Sequence, residues 1–348
     1  MPNIRVLVAM SGGVDSTACA RDILDAGYEA VGVTMRLCNA ESDVCESART
    51  VCDMLGIEHR AMECTDAFWC EVIAPFIASY ERGETPNPCI LCNRTQKFGT
   101  LLRLADALGC EKLATGHYAR VEYDNTIGRY LLKKAKNVKK DQTYVLYFLS
   151  QKQLARVLFP LGEYESKDAV RERVEELSLP NAKQKDSQDI CFIPDGDYAA
   201  FIERATNKSY PYGNFVDTKG NILGRHLGTH RYTVGQRKGL GIALGEPMYV
   251  KSKDIETSTV ILCRNAELYT SECTVREASF IPFDTLEAPI RATVKTRYSA
   301  KEVPATLTPL EGDKVHVLFD EPVRAITPGQ TAVFYDGEVV LGGGVIEA

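Results

Sequence analysis

The sequence predicts an α/β chain in three parts: a helix-covered parallel sheet, a small central β-rich domain and a C-terminal β-barrel. Three observations carry this. Up to about residue 120, short apolar runs alternate with segments of helical spacing, the pattern of a parallel sheet buried on both faces. After residue 205 the composition turns Gly-rich, β-branched and turn-punctuated. From about residue 275 short strands dominate, at spacings that suit a small barrel. These shifts set boundaries at 1–205, 206–275 and 276–348, and 348 residues are enough for two or three cores.

The first strand is Ile4 to Met10, apolar and ending in Ser11-Gly12-Gly13-Val14-Asp15-Ser16, which opens a helix carrying Ala18, Ala20, Ile23 and Leu24. Gly12 and Gly13 can take positive φ, so successive backbone N–H groups can point at one phosphate. The helix end adds its dipole, with Ser11 or Ser16 as N-cap. Asp15 beside a polyphosphate points to Mg²⁺. No Gly-Lys-Ser/Thr follows, so this is not a Walker loop. It resembles instead the SGG-x-DS loop of PP-loop ATP pyrophosphatases, which break ATP between the α and β phosphates. The next elements are a strand from Glu29 to Met35, a helix from Glu41 to Leu55 and a strand near Arg60–Cys64. Helices across Phe68–Tyr80 and Arg94–Leu108 follow, then a strand at Lys112–Thr115. Ligands of such sheets sit at strand carboxyl ends, where Ser11, Met35, Gly116 and His117 fall.

Gly83 to Arg94 reads as an extended loop, because prolines flank Asn87. Cys92 then stands beside the N-terminus of the helix expected from Arg94, where the dipole lowers a thiol pKa. Cys89-x-x-Cys92 is the one Cys-x-x-Cys in the chain, which argues against a self-contained zinc site. A hairpin is expected around Asp124–Gly128. Arg129 to Lys140 holds six basic residues and no acid, which suits a phosphate backbone. A charged helix spans Ser166–Leu177, and a polar loop, Lys183–Asp189, leads to Cys191, whose default role is a buried inert thiol. His230 to Gly241 interleaves basic, aromatic and glycine residues, as a loop lying on nucleic acid would. Barrel strands are expected at Ile290–Lys295, Val315–Phe319, Ala332–Tyr335 and Glu338–Ile346.

The formal net charge of −6 does not by itself indicate a nucleic-acid partner. Twelve cysteines with no export signature suit thiols in a reducing, cytoplasmic setting, and no apolar run is long enough for a membrane.

Seven motifs stand together: SGGVDS (11–16), TPNPCILCN (85–93), GHYAR (116–120), KDQTYVL (140–146), DICFI (189–193), HRYTVGQRKGLG (230–241) and TPGQ (327–330). In that order they resemble the tRNA-specific 2-thiouridylases over nearly the whole length. The resemblance implies an adenine-nucleotide alpha-hydrolase-like first domain. It implies that ATP adenylates the C2 oxygen of uridine 34 in the tRNA anticodon loop, releasing pyrophosphate, and that persulfide sulfur from a donor protein then displaces AMP. Residue by residue, it implies ATP contacts from Ala9, Met10, Ser11, Gly12, Gly13, Val14, Asp15, Ser16, Met35 and Gly116. Asn87, Pro88 and Cys89 would meet the target base. His117, Lys140, Asp141, Gln142, Arg297, Tyr298 and Gln330 would touch tRNA. Cys92 would be the nucleophile or resolving thiol and Cys191 the persulfide carrier, a pair found as a disulfide in the family. Many members carry Asp where this chain has Cys89. Three thiols at 89, 92 and 191 raise a second route, a [4Fe–4S] cluster with one open iron. Other PP-loop ligases, a non-catalytic nucleotide-sensing RNA binder and a thiol switch are the competing readings.

Overall fold

The computed structural model describes residues 4–38, 42–175 and 190–347. Five strands form the first sheet, all parallel, in the order β3-β2-β1-β4-β7. They are β1 (Arg5–Ala9), β2 (Glu29–Arg36), β3 (Glu58–Glu63), β4 (Lys112–Ala114) and β7 (Val157–Leu158). Alternation along β1 sends Leu7 to one face and Val6 and Val8 to the other. Leu7 packs with Phe98, Leu101 and Ala105, while Val6 and Val8 pack with Ala18 and Ile23 of α1 (Val14–Asp25) and Ala48 and Val51 of α2 (Ser42–Leu55). Both faces are therefore covered, and the strand carboxyl ends converge on the loop after β1.

The second face is covered by a helical run that the sequence places too late. α3 (Thr65–Phe68), a π-helical stretch at Trp69–Ile73 and α4 (Ala74–Glu81) precede it. The run itself is α5 (Pro88–Cys92), a π-helical stretch Asn93–Thr100 and α6 (Leu101–Ala107). The expected extended loop thus ends at Asn87. Asn87 is the N-cap, its Oδ1 accepting from Cys89 N at 3.1 Å, and Pro88 occupies the first helical position, where its missing N–H costs nothing. The prolines start a helix here; they do not forbid one.

The hairpin β5 (Ala119–Asp124) and β6 (Arg129–Lys134) forms where the sequence expects a turn, but it leaves the first sheet. β6 pairs with the barrel strand β17 (Val339–Ile346) at Val339↔Lys133. The barrel closes through β12 (Tyr269–Phe280), β15 (Val315–Arg324), β14 (Val303–Pro309), β13 (Ile290–Lys295), β16 (Thr331–Asp336) and β17, with β12 pairing back to β17. Val333, Tyr335 and Val340 share one apolar cluster with Leu7 and Leu132, so barrel wall and first sheet are packed as one body. The middle region is a four-stranded sheet of β10 (Tyr249–Asp254), β11 (Thr259–Cys263), β8 (Gly213–Val216) and β9 (Ile222–His226), preceded by α9 (Tyr198–Thr206). Among the described residues no helix is long and apolar enough to cross a membrane.

Lys253 on β10 fastens the middle sheet to the first domain. Its Nζ donates to Tyr232 O at 2.9 Å and lies 5.9 Å from the Tyr80 ring centroid. Desolvation pulls its pKa down to about 8, with Glu84 opposing. In the unfolded chain the group titrates near the ordinary lysine value, so between pH 8 and that value the unfolded state binds more protons. Stability is therefore expected to rise with pH through this window, and Lys253→Met to remove the rise. Denaturant midpoints measured from pH 7.5 to 10 check it, and a slope unchanged in the variant refutes it.

Candidate active site

A cleft of about 270 Å³ opens at the carboxyl ends of β1, β2 and β4. Ala9, Met10, Ser11, Asp15, Ser16, Met35, Gly116, His117 and Gln142 line it. Gly12 has φ +70° and is buried, whereas Gly13 is the extended N-cap of α1 (φ −86°), so only one of the two glycines uses the left-handed region. Neither serine caps the helix from outside. Ser16 Oγ donates to Gly13 O (3.0 Å) and accepts from Ser11 N (3.2 Å), which folds the loop onto itself. Val14 begins α1 and is buried behind this wall. The first turn of α1, with Asp15 and Ser16, lies at the cleft, where a helix start offers N–H groups and its dipole to an anion.

Asp15 is held from two sides. Its Oδ1 accepts from Tyr118 Oη and Lys167 Nζ, both at 2.6 Å. Its charge is therefore already balanced within the protein, a partner the sequence did not reveal. Gln142 Oε1 accepts from Tyr118 N, and Gln142 N donates to Tyr118 O, both at 2.9 Å, so the side chain of Gln142 is aimed at the cleft wall. His117 is buried, its Nδ1 2.7 Å from Thr115 Oγ1 and its ring against Phe98 and Phe159. Burial, with Lys97 assisting, holds its pKa well below the ordinary value, so the imidazole is neutral.

The helical run that carries Lys97 on the cleft wall also carries two of the thiols. Cys89 is in the first turn of α5 and exposed, and Cys92 ends α5 and is buried. The residue on the helix N-terminus is therefore Cys89, and desolvation raises its thiol pKa while Lys97 pulls the other way. Ile193 N donates to Ile190 O (2.8 Å), closing a turn that leaves Cys191 exposed and buries Phe192 and Ile193. Phe192 stands edge-on to Phe68 and Phe76, at 5.7 and 5.4 Å, within the apolar cluster that also contains Cys92. The two distant segments thus meet in one cluster, with Cys92 buried and Cys191 exposed beside it. Cys191 is not the buried inert thiol of the default reading. The polar stretch 183–189 lies outside the described residues.

Several residues expected at the tRNA are committed to the protein itself. Asp141 turns inward, its oxygens accepting from Ala135 N (3.0 Å) and Thr143 Oγ1 (2.6 Å), and burial raises its pKa. Arg297 Nη2 donates to Val234 O (2.9 Å) and Ala325 O (2.8 Å), tying the 230–241 loop to the barrel. Gln330 Nε2 donates to Thr85 O (2.7 Å) and Pro328 O accepts from Thr85 N (2.8 Å), so the TPGQ turn grips the strand of chain leading into α5. Gln330→Ala is expected to cost about 1 kcal/mol, or roughly 1–2 °C of melting temperature, read by calorimetry. An unchanged melt would mean the bond carries no load.

The basic run is largely neutralised: Arg129 pairs with Asp284, Lys133 with Glu122, Lys134 with Glu302 and Lys136 with Glu163. Local sequence showed the cations and not the carboxylates that meet them. In the 230–241 loop His230 and Arg231 pair with Glu203, leaving Arg237 and Lys238 exposed at its tip. Tyr298 is exposed and edge-on to Tyr144 at 5.8 Å. Lys140, intermediate in exposure, sits on the same KDQ turn.

Among the described residues no three His, Cys, Asp or Glu side chains are grouped to hold a metal ion. Cys89, Cys92 and Cys191 are accordingly not gathered as a metal-binding group in this arrangement. The sequence reading missed Lys97, Thr115, Tyr118 and Lys167. A signal existed for Lys97, a lysine between Gln96 and Phe98 on a helix whose neighbours are buried.

Three family descriptions tile the chain. "tRNA methyl transferase HUP domain" matches residues 4–195, "tRNA methyl transferase PRC-barrel domain" residues 199–264, and "Aminomethyltransferase beta-barrel domain" residues 270–346. A tRNA-specific 2-thiouridylase MnmA of Acetivibrio thermocellus is 49% identical, with 100% of both chains covered. Counterparts from Clostridioides difficile and Caldanaerobacter subterraneus are 46% and 48% identical, each covering 99% of this chain and 98% of its own. The loop after β1, the paired thiol segments and this full-length similarity together establish that the chain belongs to the tRNA-specific 2-thiouridylase family.

Proposed function

We propose that this chain carries out ATP-dependent 2-thiolation of uridine 34 in the tRNA anticodon loop, by adenylation followed by persulfide transfer. The observation that carries this is one unbroken helical run. It begins at Cys89, sets Cys92 against the turn bearing Cys191, and continues into Lys97 on the wall of the nucleotide cleft. Activation and sulfur delivery can then occur on the same base without its release. Methyl transfer, named in the family descriptions, calls for no pair of thiols.

In the first stage uridine O2 attacks the α-phosphorus of ATP, the bond to the β-phosphate breaks, and the uridine N3 proton goes to water. The ATP-holding set is Ala9 to Ser16, Met35 and Gly116. Mg²⁺ arrives as part of the substrate, and Asp15, which lines the cleft, meets it only by sharing its carboxylate with Lys167 and Tyr118. In the second stage the terminal sulfur of a Cys191 persulfide attacks C2, and AMP leaves with the oxygen. Cys92 thiolate then attacks the Cys191 sulfur. This frees the thiocarbonyl and leaves a Cys92–Cys191 disulfide, which a dithiol reductant reopens. A donor protein of the persulfide class loads the exposed Cys191.

Asn87, Pro88 and Cys89 border the base, and Tyr298 offers an exposed ring for stacking. Arg237, Lys238 and Lys140 supply cations for the tRNA backbone. His117, Asp141, Gln142, Arg297 and Gln330 shape that surface from behind. The reaction belongs in the cytoplasm, where tRNA, ATP and reducing dithiols coexist. Incubating the protein with tRNA, ATP–Mg²⁺ and a persulfide donor, then digesting the tRNA for mass analysis, should reveal 2-thiouridine. AMP and pyrophosphate without any thiolated nucleoside would refute it.

A further inference from the structure

We propose that Lys97 is a catalytic residue that holds the α-phosphate of ATP during adenylation and keeps hold of it in AMP as sulfur arrives. The inference rests on the adenylation reading above and adds a residue to it. Among the described side chains lining the cleft Lys97 is the one cation. The one carboxylate among the described lining residues, Asp15, is balanced by Lys167, so Lys97 is not needed to neutralise it. Lys97 itself has no ion pair or hydrogen bond among the described residues. An unpaired ammonium lining a partly closed cleft is a standing site for an anion, and its field is strengthened by the low local dielectric.

Its position relative to the thiols gives the second half of the argument. Lys97 lies in the π-helical stretch Asn93–Thr100, whose wider turn resets which side chains share a face with α5. Its charge acts on Cys89 in the helix that supplies sulfur and on His117 in the cleft lining. The cation is therefore shared by the cleft that splits ATP and the helical run that carries the thiols. In adenylation, negative charge grows on the non-bridging α-phosphate oxygens as O2 bonds to phosphorus and pyrophosphate departs. In sulfur transfer, the C2–O bond breaks and that charge returns to AMP. One ammonium at the α-phosphate stabilises both events without moving.

The test compares Lys97→Met and Lys97→Arg with the native chain. Lys97→Met should lower tRNA-dependent pyrophosphate release about 100-fold, with Lys97→Arg recovering a large part. AMP affinity should fall about tenfold in Lys97→Met while adenosine affinity stays within about twofold, since adenosine lacks the phosphate. A residue acting only through the fold would move both ligands together, and that outcome overturns the proposal. Should Lys97→Met fail to fold, the native protein decides: AMP, and not adenosine, should shield Lys97 from amine acetylation read by peptide mass. Equal labelling with and without AMP overturns the proposal. Failure of the native chain to release pyrophosphate at all would strike the adenylation reading instead.

Discussion

Cys92→Ser is expected to lower 2-thiouridine formation on the order of 10³-fold or more, while tRNA-dependent pyrophosphate release stays within about threefold of the native rate. Serine nearly matches cysteine in volume, so the cluster around Phe192 and Ile193 should survive the change. Its hydroxyl cannot open a persulfide or close a disulfide, so the second stage stops with the base activated. The first stage uses the cleft at the other end of the helical run and should proceed. The companion Cys191→Ser separates the two roles. With a persulfide donor, Cys92→Ser should still accumulate a sulfur adduct on Cys191 by mass, whereas Cys191→Ser should carry none. Because the thiols act as a unit, the double variant should be no worse than either single one. Thiolation by Cys92→Ser at near-native rate would remove the sulfur-transfer scheme. Equal loss of pyrophosphate release would mean the substitution acts on the cleft.

That scheme was readable in the sequence wherever the chemistry is local. An apolar strand, a Gly-containing turn and a helix start within a dozen residues, so SGGVDS announces its own geometry. The strand Ile290–Lys295 and the hairpin turn after Asp124 were equally visible, because period-two patterning and turn residues are neighbours in sequence. What could not be read has partners far along the chain. Gln330 reaches Thr85, Arg297 reaches Val234, and Asp15 is held by Lys167, each separation exceeding any local signal. Polar residues of the KDQ and TPGQ motifs consequently looked like free recognition groups, although Asp141 and Gln330 brace the site from within. Pro88 was misjudged for a local reason: proline breaks a helix from inside but opens one at its first position.

The loop after β1 supplies the other large effect. Gly12→Ala is expected to cut pyrophosphate release on the order of 10²-fold, since displacement of a positioning loop by about 1 Å carries such a penalty. At φ +70° an alanine is strained, and its Cβ would stand 2.7 Å from Ser47 Cβ and 2.9 Å from Ala48 N. The second contact is backbone of α2, so rotating a side chain cannot relieve it; either the loop lifts into the cleft or α2 retreats. Gly27→Ala is the control. It has φ +83° with no atom within 4 Å, so it carries similar backbone strain without the close approach. Its expected cost is about 1 kcal/mol of stability with pyrophosphate release unchanged. Gly116→Ala probes the same loop from the opposite wall, because its Cβ would meet Asp15 C and O at 3.0 and 3.1 Å. Gly12→Ala and Gly116→Ala should both lose ATP turnover, and AMP added at saturating concentration should raise the melting temperature of the native chain more than that of either variant. Native turnover by Gly12→Ala would show that the turn does not grip the phosphate, and the site would then lack its anion cradle.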